Sequence, residues 1–275
     1  MSKNFRPEPI RAKKSLGQHF LQDQTVLRAI SKQCAENAPP EFILEIGPGT
    51  GNLTRILLEN YRDIPIFALE KDHRSVEFLR SAIQATHFEI LEGDATNFNF
   101  GTLPKGRGTI VGNLPYNVGT AIFTRALSMP EHFHTLVFMF QAEVAKRITA
   151  GPGSKAYGSL SVFAELWGHH QTVIEVPPSA FLPPPKVDSA VVRSVPSSAP
   201  RHPIHGNPAD FERFVQESFR YRRKMLPKGL SLSGWSPERV RSVLETLDIP
   251  STIRPEKMSP SDFANLWNSL EGRKT

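Results

Sequence analysis

Short apolar runs alternate with amphipathic stretches along the first 195 residues of the chain. Two of the stretches between the runs, NLTRILLENY and SVEFLRSAI, carry apolar residues at helical spacing. This alternation predicts βαβ units, and therefore an α/β fold with a mostly parallel sheet covered on both faces. The runs that predict strands are rich in β-branched and aromatic residues, and there are seven of them, at 42–48, 66–72, 88–95, 109–115, 135–141, 172–177 and 190–195.

The end of the chain has a different pattern. The last two predicted strands are joined by a proline-rich segment without helical spacing, which predicts an antiparallel hairpin at one sheet edge. The segment PSSAPRHPIHG at 196–206 indicates a linker between a domain at 1–195 and an all-α domain at 207–275. Three helices are predicted there because each pattern begins with a capping residue before proline, at Asn207-Pro208, Ser236-Pro237 and Ser259-Pro260.

Composition narrows the class of protein. The chain of 275 residues has 33 Lys and Arg against 27 Asp and Glu, with a pI near 9.5, which favours an anionic partner without identifying it. Its single cysteine, Cys34, excludes an internal disulfide and fits a reducing compartment. No apolar run is long enough to span a bilayer, and the basic N-terminus lacks the apolar core of a secretory signal. We therefore expect a cytoplasmic protein.

A glycine-rich segment, LEIGPGTG at 44–51, follows the first predicted strand and opens a helix, which is typical of a nucleotide-binding turn. Glu70 ends the second strand, where a carboxylate accepts hydrogen bonds from ribose hydroxyls. Asp94 follows the third strand, where it would bond an adenine amino group. Both NAD and S-adenosylmethionine fit such a cleft, and the G-P-G-T-G spacing after Glu45 favours the methionine end of S-adenosylmethionine.

The fourth strand brings Asn113-Leu114-Pro115-Tyr116 to the same edge of the sheet. An exocyclic amine on a planar base is a poor nucleophile because its lone pair is delocalised into the ring. The Asn113 side-chain oxygen and the Leu114 carbonyl would accept its two N–H bonds, while Tyr116 would stack on the base. The motif predicts methyl transfer by positioning and electrostatics. A turn with a buried tyrosine is the alternative interpretation of these residues.

Eight motifs distributed over nearly the whole chain identify it as similar to one family. They are KKSLGQHFL (13–21), ILEIGPGTGNLT (43–54), ALEKD (68–72), EGDAT (92–96), GNLPYN (112–117), MFQAEVAKRI (139–148), YGSLSVF (157–163) and FLPPPKVDSAVV (181–192). With these motifs the chain resembles the ribosomal RNA adenine N6-dimethyltransferases, most closely the bacterial small-subunit KsgA/RsmA family. The resemblance implies a Rossmann-like class I methyltransferase fold with a seven-stranded sheet. It also implies S-adenosylmethionine as donor and dimethylation of N6 on two adjacent adenosines near the 3′ end of 16S rRNA, in small ribosomal subunit biogenesis.

The resemblance also assigns residues to roles. Phe181 would hold the flipped base opposite Tyr116, and Asn113 would face both the transferable methyl group and the target amine. His19 stands where the family frequently has Asn, which leaves its polar contact open. The remaining donor-binding residues would be His19 and Leu21 closing over the cofactor, Gly47 and Gly49 at its methionine part, Glu70 at the ribose and Asp94 at the adenine.

Basic residues fit an RNA substrate. Lys186 would contact a phosphate near the target base, because it lies in the loop that Phe181 opens. Two clusters of basic residues elsewhere in the chain also fit RNA binding, and a solvated charged face is the alternative interpretation of each. One cluster is at the N-terminus, with Arg11, Lys13 and Lys14, and the other lies in the first C-terminal helix and just beyond it, with Arg220, Arg222, Arg223, Lys224 and Lys228.

Several features favour no further chemistry. The histidines lack metal-ligand spacing and no C-x-x-C occurs, so we expect no metal. GPGSK at 151–155 lacks the full phosphate-loop pattern and indicates a surface loop.

Two other functions stay open from the sequence: a large-subunit adenine methyltransferase of the antibiotic-resistance type, and a non-catalytic RNA-binding relative. We expect a monomer.

Overall fold

The computed structural model describes residues 19–115 and 118–271. Four residues that the sequence analysis singled out lie outside the described residues, namely Arg11, Lys13, Lys14 and Tyr116.

The described strands form two sheets. A seven-stranded sheet and a two-stranded sheet are built from β1 Phe20–Leu21, β2 Phe42–Ile46, β3 Ile66–Glu70, β4 Phe88–Glu92, β5 Gly108–Asn113, β6 Phe133–Gln141, β7 Gly168–Val176, β8 Phe181–Leu182 and β9 Ser189–Pro196. The larger sheet has the order β4-β3-β2-β5-β6-β9-β7. Neighbouring strands from β4 to β6 are parallel, whereas β9 is antiparallel to β6 and β7 lies at the edge beside β9. The predicted mostly parallel sheet with an antiparallel edge hairpin is confirmed.

The described helices are α1 Gln24–Gln33, α2 Asn52–Asn60, α3 His73–Ala82, α4 Gly119–Leu127, α5 Ala142–Ile148, α6 Ser159–Trp167, α7 Pro208–Arg220, α8 Leu226–Ser231, α9 Pro237–Thr246 and α10 Pro260–Ser269. The helices α2 and α3 correspond to the two amphipathic stretches between predicted strands. Every residue of β2 is buried, as expected for a parallel strand that is covered on both faces.

The carboxyl ends of β2, β3, β4 and β5 meet at one edge of the large sheet, because these strands are parallel and in close register. Gly112 allows the close approach of β5 to β2 at the centre of the sheet. A Cβ at Gly112 would lie 2.6 Å from the carbonyl oxygen of Ile46, a distance at which a side chain collides with the backbone. The glycine loop after β2 and Asn113 at the end of β5 are therefore brought side by side.

The two-stranded sheet was not predicted. Phe20 pairs with Leu182 and Leu21 with Phe181, in antiparallel register. Strands of two residues are too short to show a period in the sequence. This pairing holds the start of the described chain against the proline-rich loop that follows β8.

The chain divides into two compact units that differ from the predicted domains in one segment. Of the described residues, the first consists of 19–115, 118–145 and His170–Pro196, and the second of Lys146–His169 and 197–271. The sequence prediction placed 146–169 in the first domain. Tyr157, which lies in this segment, is fully buried among the helices of the second unit, and its hydroxyl donates to the Met258 carbonyl at 2.8 Å. Chain order alone gave no sign of this packing.

The three predicted helix starts in the second unit are confirmed. Asn207 accepts the Ala209 N–H at 2.9 Å, and Ser236 accepts the Arg239 N–H at 3.2 Å. Ser259 forms a reciprocal capping box at the start of α10. The short helix α8 was missed because its sequence, LPKGLS, contains both proline and glycine, which indicate a loop.

Candidate active site

The glycine loop after β2 depends on backbone conformations that favour glycine. Gly47, Gly49 and Gly51 have φ values of +67°, +54° and +75°. The N–H of Gly47 donates to the Leu69 carbonyl at 2.9 Å, which ties the loop to the end of β3. A Cβ at Gly49 would lie 2.8 Å from the ring of Phe20, so the N-terminal segment lies directly on this loop.

Glu70, at the end of β3, turns its carboxylate towards the glycine loop. Its Oε1 accepts the N–H groups of Lys71 and Asp72, each at 2.8 Å, and its Oε2 accepts the Gly49 N–H at 3.2 Å. Burial raises the pKa of Glu70 in spite of these three hydrogen bonds. The carboxylate is fixed at the predicted ribose position and keeps lone pairs for further donors.

Asp94 lies beyond β4 at the same edge. Its Oδ1 accepts the Thr96 N–H at 2.9 Å and the Thr96 hydroxyl at 2.7 Å, while its Oδ2 is paired with the Lys71 ammonium at 2.7 Å. The hydrogen bond from Lys71, with those from Thr96, lowers the pKa of Asp94 to about 2. Asp94 is therefore an ionised acceptor at neutral pH. The sequence gives no signal for the role of Lys71 beyond its position next to Glu70.

The side-chain amide of Asn113 has a defined orientation. Its Nδ2 donates to the His19 carbonyl at 2.9 Å. Only the nitrogen of a side-chain amide can donate to a carbonyl oxygen, so the Asn113 Oδ1 points the other way. The His19 imidazole Nδ1 is in turn 2.8 Å from the Pro183 carbonyl oxygen. His19 thus joins the Asn113 motif to the proline-rich loop. Leu114, which follows Asn113 in that motif, is buried.

Leu21 is held in the same region by contacts with Asn52 and with Phe181. Its carbonyl accepts the Asn52 side-chain N–H at 2.8 Å, at the start of α2, and its strand pairs with Phe181. A small cavity of about 40 Å³ lies beneath this segment, lined by Leu21, Glu45, Gly47 and Asn113 among others. The structure thus brings together the predicted residues of the N-terminal segment, the glycine loop and the Asn113 motif.

Glu45 is a residue of this cavity that the sequence analysis did not count among the site residues. Its side chain is 2% exposed, and its Oε2 accepts the Thr54 hydroxyl at 2.6 Å. Burial, with a further effect from the nearby charge of Glu70, raises the pKa of Glu45 to about 7. The signal in the sequence was a charged residue inside an otherwise apolar strand, FILEI.

Phe181 does not present an open ring. It is 4% exposed and packs in the core of the first unit, whereas Leu182 beside it is 57% exposed. Lys186, further along the same loop, is exposed. A role for Phe181 in holding a base therefore stays a prediction, and it requires its ring to become accessible.

In the second unit, the predicted basic residues differ in their surroundings. Arg222 is committed to the protein, because its Nε contacts Glu256 at 2.8 Å and its Nη2 donates to the Ser154 carbonyl at 3.4 Å. The guanidinium of Arg220 lies over the Tyr221 ring. Arg223 and Lys224 are exposed.

Three exposed cations that the sequence analysis missed lie near the predicted cluster. Gly153 donates to the Glu256 carbonyl at 2.7 Å, and Leu226 to the Ile253 carbonyl at 2.8 Å, so separate segments are joined at one surface. The added cations are Lys155, Arg254 and Lys257.

Among residues 19–115 and 118–271, no group of three or more His, Cys, Asp or Glu side chains is placed to hold a metal ion. No helix in that same part of the chain has the length and apolar character needed to cross a membrane.

The sheet order and the site at the strand ends define a Rossmann-like class I methyltransferase. Two solved structures resemble the chain over 92% of its length, both at 25% identity. A dimethyladenosine transferase from Plasmodium falciparum has a TM-score of 0.77 with 98% of that chain covered. The 23S rRNA methyltransferase ErmE has a TM-score of 0.68 with 99% covered.

The chain belongs to the ribosomal RNA adenine dimethylase family, whose model matches residues 10–271. Ribosomal RNA small subunit methyltransferase A of Ruegeria sp. (strain TM1040) is 42% identical over 270 residues, covering 94% of this chain and 92% of the relative. The protein of the same name from Dichelobacter nodosus (strain VCS1703A) is 38% identical over 262 residues, covering 95% and 96%.

The raised pKa of Glu45 predicts a dependence of stability on pH. The folded chain binds this proton more tightly than the unfolded chain, so Glu45 destabilises the fold as pH rises from about 4.5 towards 7. The Glu45→Gln variant avoids this cost and keeps an acceptor for Thr54. From pH 5 to pH 8 its free energy of unfolding should rise relative to wild type by about 1–3 kcal/mol, measured by urea denaturation. The control is Glu89→Gln, on the exposed side of β4, and a difference that stays constant with pH would contradict the assignment.

Proposed function

We propose that this protein transfers methyl groups from S-adenosylmethionine to N6 of two adjacent adenosines near the 3′ end of 16S rRNA, dimethylating each. The orientation of the Asn113 amide carries the proposal. Because its nitrogen is used by the His19 carbonyl, its Oδ1 is the atom that accepts an N–H from the target amine. This acceptor turns the amine lone pair away from conjugation with the ring and towards the methyl donor.

The donor is proposed to lie along the edge formed by the ends of β2, β3 and β4. Its methionine part would lie at Gly47 and Gly49, its ribose at Glu70 and its adenine at Asp94. The positive φ values of the two glycines and the ionised state of Asp94 support this placement. The donor carries a sulfonium and an ammonium, and the carboxyl groups of Glu45 and Glu70 would supply negative charge near them. A cationic ligand would offset part of their cost of ionisation.

The transfer itself needs no strong base. The N6 lone pair forms a bond to the methyl carbon, the sulfur–methyl bond breaks, and its electron pair stays on sulfur to leave S-adenosylhomocysteine. The N6 proton passes to water after the transfer, and a second S-adenosylmethionine supplies the second methyl group by the same path. The protein contributes position and hydrogen-bond acceptors, of which the Leu114 carbonyl is the proposed second one. Tyr116 is proposed to stack on the base.

The small ribosomal subunit is the proposed partner. The relatives at 42% and 38% identity carry the name small subunit methyltransferase, whereas the 23S methyltransferase ErmE is 25% identical. We place the RNA contacts at Arg220, Arg223 and Lys224 of the second unit and at Lys186 of the first. Arg222 would contribute mainly by holding this surface together. The protein would act as a monomer in the cytoplasm without a metal.

The direct test is incubation with labelled S-adenosylmethionine and unmethylated small ribosomal subunits, followed by mapping of the label. We expect dimethylation of two adjacent adenosines near the 3′ end of 16S rRNA. Label on large-subunit RNA would instead indicate the antibiotic-resistance type of target. An absence of label from every RNA would indicate a non-catalytic relative.

The same assay tests Asn113. Asn113→Ala removes the proposed acceptor and should lower the transfer rate by about a hundredfold or more, while rRNA affinity changes little. The matched control is Asn60→Ala in the same unit, which removes an amide bonded to Ser31 at 2.9 Å, away from the strand ends. A loss of RNA binding in Asn113→Ala, with transfer restored at high RNA concentration, would contradict the assigned role.

The exposed cations of the second unit predict a salt dependence. Replacing both Arg223 and Lys224 with Gln should weaken binding to small subunits and lower the slope of log K against log salt by about 1–2, because each phosphate contact contributes about one. The control is Arg213→Gln, an exposed arginine on α7 whose charge is shared with Asp210 at 3.7 Å. An unchanged slope in the double variant would place the RNA surface elsewhere.

A further inference from the structure

Arg125, on α4, binds the turn that carries Asp94. Its Nη1 donates to the Ala95 carbonyl at 2.9 Å, and its Nη2 donates to the Phe98 carbonyl. The guanidinium also lies over the buried ring of Phe100, 4.5 Å from the centroid. One side chain therefore holds three residues of the segment that follows β4.

The turn at 94–98 is closed mainly by its own backbone. The Asp94 carbonyl accepts the N–H groups of Asn97 and Phe98, at 3.0 and 2.8 Å, and the Asp94 carboxylate accepts from Thr96. These bonds fix the shape of the turn but do not connect it to a neighbouring element. The Lys71 ammonium connects the turn to the end of β3 through the Asp94 carboxylate, and the donors of Arg125 connect it to α4, since both of their acceptors are carbonyls of this turn.

The other end of the connection is the Asn113 motif. The Pro115 carbonyl accepts the N–H groups of Val118 and Gly119, at 3.2 and 2.9 Å, so α4 begins directly at the end of the motif. A Cβ at Gly119 would lie 3.3 Å from Leu114, which shows how closely the helix start packs on the motif. Arg125 lies six positions further along the same helix, so a short rigid element joins it to the motif.

We infer that Arg125 is a positioning residue that couples the adenine end of the donor site to the amine-accepting Asn113 motif. This inference rests on the proposed placement of the donor adenine at Asp94. Through Arg125, a shift of the turn that holds the donor moves the helix that begins at the motif. The donor and the target amine are thereby kept at one separation for both methyl transfers.

A purely structural role is the competing explanation, since the guanidinium of Arg125 also lies over the buried ring of Phe100. The two explanations differ in what a substitution changes. Loss of a structural contact lowers stability alone. Loss of a coupling contact also weakens donor binding and lowers the turnover of bound donor and RNA.

The experiment compares Arg125→Met, which keeps an apolar stem of similar length, with wild type. S-adenosylhomocysteine affinity is measured by calorimetry, and kcat and KM by methyl transfer to small subunits. We expect Kd to rise about tenfold and kcat to fall about tenfold, each equivalent to the loss of one net hydrogen bond. The affinity for RNA should stay unchanged. The matched control is Arg193→Met, which removes guanidinium bonds to Gln33 and Gln171 in the same unit and should leave Kd and kcat near wild type.

A second variant guards against misfolding. Arg125→Lys keeps the charge but replaces the two-carbonyl fork with a single ammonium, and should show intermediate losses in both Kd and kcat. Wild-type Kd and kcat in Arg125→Lys, or equal effects of Arg125→Met and Arg193→Met, would overturn the inference. The calorimetric arm requires no RNA substrate, so a wild-type protein that binds the donor product but methylates no RNA would reject the proposed function and still report on Arg125.

Discussion

Close parallel pairing of β2 and β5 is the constraint on which the candidate site depends. At the strand ends Gly112 leaves no room for a side chain against the Ile46 backbone, and a Cβ at Gly47 would lie 3.9 Å from the Asn113 carbonyl. The distance between the glycine loop and Asn113 is therefore set by backbone against backbone. Side-chain motion does little to change it. A reaction that depends on the separation of a methyl group and an amine is well served by such a support.

The carboxyl groups at this edge have opposite electrostatic surroundings. Burial raises the pKa values of Glu45 and Glu70, whereas Lys71 and Thr96 lower that of Asp94. The two raised groups lie near the glycine loop, and the lowered one lies at the far end of the strand edge. A ligand with its positive charges near the loop and a neutral ring with an N–H donor near Asp94 matches this order. The proposed donor has that distribution, while a dinucleotide diphosphate would bring negative charge to the loop.

Much of the fold could be predicted because its signals are local. The apolar run of β2 and the capping residues Asn207, Ser236 and Ser259 each act within a few positions of the chain. The glycine loop, Glu70, Asp94 and Asn113 followed from their places at strand ends. The rest depends on contacts between distant segments. The pairing of β1 with β8, the packing of Tyr157 in the second unit and the orientation of Asn113 by His19 leave no periodic or spacing signal.

The arginines show the same limit most clearly. Composition treats each as one positive charge, and on that basis Arg222 was grouped with Arg223 as an RNA contact. The structure separates them, because Arg222 is paired with Glu256 at 2.8 Å while Arg223 is exposed. Arg125 drew no attention in the sequence, yet its fork binds two backbone carbonyls beside the candidate donor site. An arginine whose donors are already used positions other groups, and one whose donors face solvent is available to a phosphate. Only the hydrogen-bond partners distinguish the two roles.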